Sequence, residues 1–385
     1  MTDPEAAHAH WLHTARELAD DLATDAVERE QAGKTPHDEV ERLREAGLLT
    51  LLAGTEHGGG GSDWRTAYAV VRTIAAADGA IGRLLGSHYF LSAGARFFAP
   101  PAVAARVERE SAAGRWCWGG GIASREAPLT LTPAGDGYLL DGHHSGVTGA
   151  AVADRLLVRA ARSGTGEPLA VLADPAHPGV GYRTDGETFG QRLAAVGGVD
   201  FDAVPVAAGD VFGSLSADEG VLSPFAGLAA PVARLVSAHF CLGVAEGLLA
   251  EAREYNRPGG PTQDPYLVSC YGELAVLARS ASALAGQAVD ALTRGLSRGE
   301  DLDDDECAEI TVLASVAEAA ATRAAQEITT RALDVIGTRA AAQRHGLDRF
   351  WRDTRTHTLR EPVAHRLREV GDYFLNGAHP AFALP

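Results

Sequence analysis

The chain has 385 residues, 46% of them hydrophobic and 22% charged, which is enough for two or three packed units around a large core and argues against disorder over most of its length. A formal charge of -17 sets nucleic acid and anionic membranes aside as expected partners, because both reward clustered Lys and Arg through counterion release. The cysteines, Cys117, Cys241, Cys270 and Cys307, lie far apart without a CxxC pair, so neither a disulfide framework nor a zinc knuckle is indicated and a reducing, cytoplasmic setting is expected.

The opening MTDPEAAHAHWLHTARELADD is acidic and lacks the apolar core of a signal peptide, so no export is expected. From about residue 5 to 113, apolar residues recur at three- and four-residue spacing, the helical pattern. Thr35 before Pro36, Ser62 with Asp63, and Pro100-Pro101 mark helix starts. The run Gly58 to Gly61 follows a helix and lacks the Lys-Ser/Thr of a phosphate loop, so it reads as a connector. No GxGxxG opens a βαβ unit, so no Rossmann nicotinamide site is expected and reducing equivalents must come from elsewhere.

Between Arg115 and about Phe212 the chain turns to short β-type runs broken by Gly, Asp and Pro: WCWGGGIA, GYLLDG, RLLVRA, PLAVLAD and VDFDAVPV. Helical periodicity returns in longer segments, roughly 224–256, 265–298, 304–336 and 362–376, spaced like an antiparallel bundle. The apolar stretch from Pro224 to Leu249 carries Arg234, His239 and Glu246, which are costly in lipid, so it reads as a core helix. The expected class is α+β, with an N-terminal helical domain at 1–114, a middle β domain at 115–215 and a C-terminal four-helix bundle at 216–385.

This order, with GYLLDGHHSGVTGAAVADRLLVRA in the middle, resembles the acyl-CoA dehydrogenase superfamily over nearly the whole chain. The stretch LDRFWRDTRTHTLREPVAHRLREVGDYFLNG, with EITTRALDVIGTRAA before it and QDPYLVSCYGEL earlier, is similar to one branch, the reduced-flavin monooxygenases of the dibenzothiophene monooxygenase and sulfur-acquisition type. The resemblance implies a flavin, FMN with FAD as the alternative, reduced by a separate NAD(P)H-dependent flavin reductase. It implies delivery of one oxygen atom from O2 to sulfur, nitrogen or activated carbon of a small-molecule substrate by a homotetramer.

By the same resemblance the flavin ring lies between the β domain and the C-terminal helices, near Gly120, Ser124, Gly146, Thr148 and Gly149, with Arg257, Thr338 and Arg339 toward the phosphate. His88, His357 and Arg360 form the implied catalytic set. Chemistry gives these assignments some independent sense: a Thr148 hydroxyl can stabilise negative charge on a reduced ring, and an arginine just after Gly337 suits a phosphate. An imidazole at His88 can carry a proton near neutral pH. Each also has a plain structural reading, as a strand threonine, a salt-bridged helix arginine or a packed core histidine.

His8, His10, His13 and the pair His143-His144 lack carboxylate or cysteine partners at ligand spacing, so no metal is expected and these histidines read as solvent-exposed. Cys117 reads as a small buried residue, and Asp301 to Glu306 as a solvated turn before a helix.

Departures from the branch gather at the flavin site. Gly146 stands in place of an aromatic ring, Gly120 of an asparagine, Gly186 of a tryptophan, Val196 and Gly198 of small hydroxylated residues, and Arg360 of a histidine. Losing two aromatic walls forfeits on the order of 1–3 kcal/mol each, so weaker flavin binding is expected. Three readings follow: a pocket widened for a bulky substrate, a flavin present only in turnover, or a subunit that has lost flavin. An acyl-CoA dehydrogenase-like reaction, with Glu361 as base, and a flavin-free enzyme or structural partner are the alternatives to oxygenation. Arg360 would also suit a carboxylate or phosphate on the substrate.

Overall fold

The computed structural model describes residues 4–122, 128–183, 188–216, 218, 221–257, 262–338, 342–360 and 362–384. Among the described residues, seven α-helices come first: α1 (Pro4–Thr24), α2 (Ala26–Ala32), α3 (His37–Glu45), α4 (Trp64–Ala77), α5 (Gly79–Ser92), α6 (Gly94–Phe98) and α7 (Pro101–Gly114). Asp63 and Asp78 cap α4 and α5 by accepting the Thr66 and Ile81 backbone N–H groups. Helix α3 starts with Pro36 rather than Thr35 at its cap, one residue later than the sequence suggests. The glycine run is a connector: a Cβ at Gly60 would come within 2.7 Å of the Trp11 ring.

Eight strands follow among the described residues: β1 (Trp118–Gly121), β2 (Leu129–Ala134), β3 (Gly137–Val147), β4 (Arg155–Arg162), β5 (Pro168–Ala173), β6 (Val180–Arg183), β7 (Gly197–Ala207) and β8 (Val211–Ser214). They make one mixed sheet in the order β6-β7-β3-β2-β4-β5-β8, with β1 added parallel to β4. The long β3–β7 pair slips register between His144 and Val147, and the bulge leaves Gly146 at φ 65. Pairing resumes at Val147 with Gly197, and the next residue, Thr148, bridges to Gly120 of β1.

The last third holds α8 (Pro224–Gly227), α9 (Ala229–Tyr255), α10 (Pro265–Arg298), α11 (Asp304–Ile336), α12 (Asp348–Arg360) and α13 (Val363–Asn376). The apolar segment Pro224–Tyr255 has the length and hydropathy to cross a membrane, yet its apolar window is wholly buried inside the protein. Asp303 and Glu306 form a capping box, so the acidic run before α11 is a helix cap and more than a solvated turn. Helix α12 is an addition to the four segments read from periodicity. Its inner face is polar, burying Arg349, Asp353 and His357 beside Phe350, and apolar spacing therefore gives no signal for it.

Two cores result. The larger runs continuously from α1, α4 and α5 through α9 to α10 and α11, and takes in Leu157, Ala170 and Leu172 from the sheet. A smaller one, with Leu131, Leu140, Val158, Val171 and Phe201, lies within the sheet. The helical regions at either end of the sequence therefore share one interior, and the sheet is docked on it.

Candidate functional site

At the junction of sheet and helices lies a cavity of about 340 Å³. Gly120 and Gly121 of β1, with Gly146 and Thr148 at the end of β3, form one side. Ser237 of α9 and His357 and Arg360 of α12 face it, and Arg83, Ser87 and Phe90 of α5 close a flank. The structure thus gathers Gly120, Gly146, Thr148, His357 and Arg360, residues up to 240 positions apart, into one place.

The floor is fixed by backbone constraints. Gly120 and Thr148 exchange N–H to carbonyl bonds of 3.0 and 3.2 Å. Gly120 has φ 145, and a Cβ there would sit 2.0 Å from the Leu157 carbonyl oxygen. The glycine is therefore demanded by the packing of β1 on β4, and does not simply record a lost side chain. Gly149, at φ 72 and with an ideal Cβ 3.3 Å from the Gly119 Cα, lies off the cavity and forms the turn behind its floor.

Opposite the floor, His357 Nε2 and Ser237 Oγ are 2.7 Å apart and the Phe240 ring centroid lies 4.6 Å from the imidazole. Nδ1 of His357 has no partner among the described residues. Burial, then the cations of Arg83 and Arg360, hold this histidine well below its ordinary pKa, so the ring is neutral at physiological pH. Arg360 Nη1 approaches the Gly146 carbonyl at 3.5 Å, linking α12 to the β3 bulge. Glu318 of α11 also reaches the wall, ion-paired at 2.9 Å to Arg366.

His88 takes a different place. Its Nε2–H donates to the Leu49 carbonyl at 2.8 Å and its Nδ1 accepts the Trp118 N–H at 3.0 Å. The residue is fully buried, off the cavity, and its pKa is lowered to about 4, first by burial. Both nitrogens are engaged, and in this place His88 anchors the start of β1.

His144, expected to be exposed, is buried on the cavity wall, because the strand register turns it inward while His143 faces out and pairs with Asp200 at 2.9 Å. No group of three metal-ligating side chains occurs among the described residues. Burial pushes the Cys117 thiol up to about 12, leaving it protonated and unreactive. Arg257 and Thr338 stand on exposed chain just beyond α9 and α11 and do not line the cavity. Ser124, Gly186, Arg339 and Glu361 lie outside the described residues.

Sequence reading missed Ser237, Arg83 and Glu318. Ser237 is a lone hydroxyl in the run ARLVSAHF and Glu318 is one charge among many on α11, so only the helix faces that meet at the cavity distinguish them. Arg83 is the single Asp, Glu, Lys or Arg of α5, and a lone charge in an otherwise apolar helix is the signal that could have found it.

The acyl-CoA dehydrogenase N-terminal domain family model matches residues 5–106, and the C-terminal domain model matches residues 226–361. A dibenzothiophene monooxygenase of Mycolicibacterium goodii is 35% identical over 402 residues, covering 98% of this chain and 97% of its own. A probable FMNH2-dependent monooxygenase, SfnC of Pseudomonas putida, is 33% identical over 383 residues, covering 96% of each. The crystal structure of FMN-bound TdsC from Paenibacillus sp. A11-2 matches with a TM-score of 0.91 at 35% identity, over 97% of this chain and 99% of that one.

Proposed function

The chain belongs to the acyl-CoA dehydrogenase family, and from that membership we propose that it is a reduced-flavin monooxygenase, using FMN in its reduced form and O2 to oxygenate a small organic substrate at sulfur, nitrogen or activated carbon. The observation that carries the reading is the cavity itself: a glycine floor under a neutral histidine and a guanidinium, in a chain that matches FMN-bound TdsC along nearly its whole length.

The residues present fit a flavin. Gly121 and Gly146 carry no side chain into the cavity, and a Cβ at Gly121 would come within 3.0 Å of the His144 ring on the wall, so the floor leaves room for a flat ring. The Thr148 hydroxyl and the Arg360 guanidinium bring a donor and a fixed positive charge to the same space, which suits a ring that gains negative charge on reduction. When bound, the flavin supplies the oxygen-activating chemistry.

The chain's own side chains do the rest. Phe90, Leu91, Ile122 and Val236 give the cavity apolar walls that exclude water and accept an apolar substrate. His357, neutral and bonded to Ser237, is able to accept a proton that the permanently charged Arg360 cannot exchange. Arg257 and Thr338, off the cavity, are assigned to the phosphate end of the cofactor, together with Arg339. The dehydrogenase alternative rests on Glu361, outside the described residues; among the described residues the one carboxylate on the cavity wall, Glu318, is ion-paired to Arg366 and does not favour it.

Because the sequence shows no Rossmann fingerprint, a separate NAD(P)H-dependent flavin reductase is the proposed partner, in a cytoplasmic setting. Product should form only when reductase, FMN, NADH and O2 are supplied together. Labelled oxygen should pass from O2 into the product. Label arriving from water, or turnover under nitrogen, would refute the reading.

A further inference from the structure

We infer that Ser237 is the substrate-binding member of its pair with His357: the serine hydroxyl donates a hydrogen bond to an acceptor oxygen on an otherwise apolar substrate, and His357 behind it is a positioning residue. The inference rests on the preceding reading in one respect, that the substrate occupies the side of the cavity opposite the glycine floor.

Helical hydroxyls elsewhere in this protein turn back on their own helix. Thr73, Thr293, Thr311, Ser315, Thr329 and Thr330 each donate to the carbonyl four residues earlier. Ser237, in the first half of α9 and only 4% exposed, does not. Its hydroxyl lies 2.7 Å from His357 Nε2 and has no other partner among the described residues. The arrangement is held on both sides. A Cβ at Gly86 of α5 would lie 2.7 Å from Val236 Cγ1, so α5 and α9 are in close contact at the residue before the serine. Phe240, one turn further along α9, lies against the imidazole at 4.6 Å and fixes the ring from the same helix.

Neither imidazole nitrogen is open to a ligand. Nδ1 is buried without a partner among the described residues, and Nε2 is covered by the Ser237 hydroxyl. A neutral imidazole carries one N–H, and an N–H buried without an acceptor costs more than a bare lone pair. The proton therefore belongs on Nε2, where the Ser237 oxygen accepts it. The hydroxyl's own proton is then left without an acceptor among the described residues and is directed to the cavity that Ser237 lines. A hydroxyl that already accepts a hydrogen bond is the stronger donor for it. Ser87 and Thr148 also bring hydroxyls to the cavity, but among the described residues no side chain backs either of them. Ala233, Val236, Phe90 and Leu91 are apolar, while Arg83, Arg360 and Glu318 on the same wall have protein interactions of their own. One oriented donor in that setting selects a ligand with an acceptor oxygen on an apolar body.

The test is a pair of probes alike in shape: para-(methylthio)acetophenone and its isopropenyl counterpart, in which a methylene replaces the carbonyl oxygen. Each is titrated calorimetrically into the intact protein with oxidised FMN and without it, so that no turnover is required. Ser237→Ala should weaken the ketone about tenfold relative to the alkene, the effect of one lost hydrogen bond. Ser237→Thr, which keeps a hydroxyl, should retain part of the preference. His357→Phe should lower the ketone-to-alkene ratio as well, because the hydroxyl is then free to turn back on α9. His357→Gln, whose amide still donates to Ser237, should preserve the ratio, and that rescue separates positioning from packing. Circular dichroism checks that the variants fold; if His357→Phe does not, the Ser237 variants and His357→Gln decide. An equal loss of both probes in Ser237→Ala, a ratio unchanged by it, or no saturable ketone binding would overturn the inference. Weaker FMN binding in Ser237→Ala with an unchanged probe ratio would likewise overturn it, assigning the hydroxyl to the cofactor. Failure of oxygenation in the turnover assay would leave the titration unaffected.

Discussion

Three of the buried histidines are held neutral, and each has a different reason to be there. His88 is saturated by Leu49 and Trp118, and His357 is bonded to Ser237. His239 is stacked on Tyr68 at 5.1 Å with neither nitrogen bonded among the described residues. Burial, then Arg72, lowers the His239 pKa to about 3. Depressed histidine pKa values mean that the unfolded chain binds more protons below about pH 6.5, so stability present at neutral pH is lost as the pH falls through that value. Asp353 has the opposite sign: burial raises it to about 7, and the stability it gives in acid is lost as the pH rises from the ordinary carboxylate range toward that value. Between pH 4 and 6.5 three histidines outweigh one aspartate, and the melting temperature should drop with acidification. His239→Phe keeps the stack on Tyr68 and removes an imidazole that costs about 2 kcal/mol at pH 5. It should raise the denaturation midpoint at pH 5 far more than at pH 8. An equal gain at both values would show that packing rather than protonation sets the cost.

At the scale of elements, α13 is held by charge. Arg366 binds Glu318 of α11 and Glu369 of its own helix, while Arg234, fully buried in α9, reaches Glu369 at 3.2 Å and Ser315 at 2.5 Å. Two arginines and two glutamates meet here, and losing one member breaks a buried ion pair. Arg366→Met takes the 2.9 Å ion pair away from Glu318, only 3% exposed, and should destabilise the chain by about 3–5 kcal/mol in urea unfolding. Adding Glu318→Gln should restore a large part of the loss. No recovery in the double variant would mean that the arginine stem, and not its charge, holds α13. Because Glu318 also lines the cavity, the same cluster ties helix docking to the electrostatics of the site. We propose domain limits at 114/115 and 215/216, where α7 gives way to β1 and where β8 is followed by α8. The shared core nevertheless makes the first and third regions one cooperative body.

Across the described residues, large apolar side chains stand exposed together on two helices, Tyr266, Val268 and Val276 along α10 and Phe374 and Leu375 at the end of α13, with Leu359 alone on α12. Gly272 and Gly286, also on α10, have open space beyond their Cα atoms, so another helix could approach closely along that face. A homotetramer, proposed from the family resemblance, gives these surfaces a partner. Light scattering should report four chains, and Val276→Lys should shift the population to smaller species. A wild-type monomer, or a Val276→Lys protein of unchanged mass, would remove the proposed role of α10.

The order of helices, strands and helices was determined by the sequence alone, because it rests on local periodicity and on caps such as Asp63, Asp78 and Asp303, whose chemistry acts within one turn. So was the family, which is a property of residue order along the chain. Helix α12 was not legible as a helix, since its inner face buries charge and imidazole in place of an apolar stripe. The fates of His88 and His144 were equally hidden. Both are histidines in apolar or β-type surroundings, and only the docking of β1 on α5 and the register of β3 send one to the core and the other to the cavity. Gly120 and Gly146 read alike as missing side chains, yet backbone geometry shows the first to be required by Leu157 and the second to sit in a bulge. The cavity and the meeting of Arg83, Ser237, His357 and Arg360 within it belong to tertiary structure. Their proximity depends on long-range packing of α5, α9 and α12 against the sheet, which no local pattern encodes.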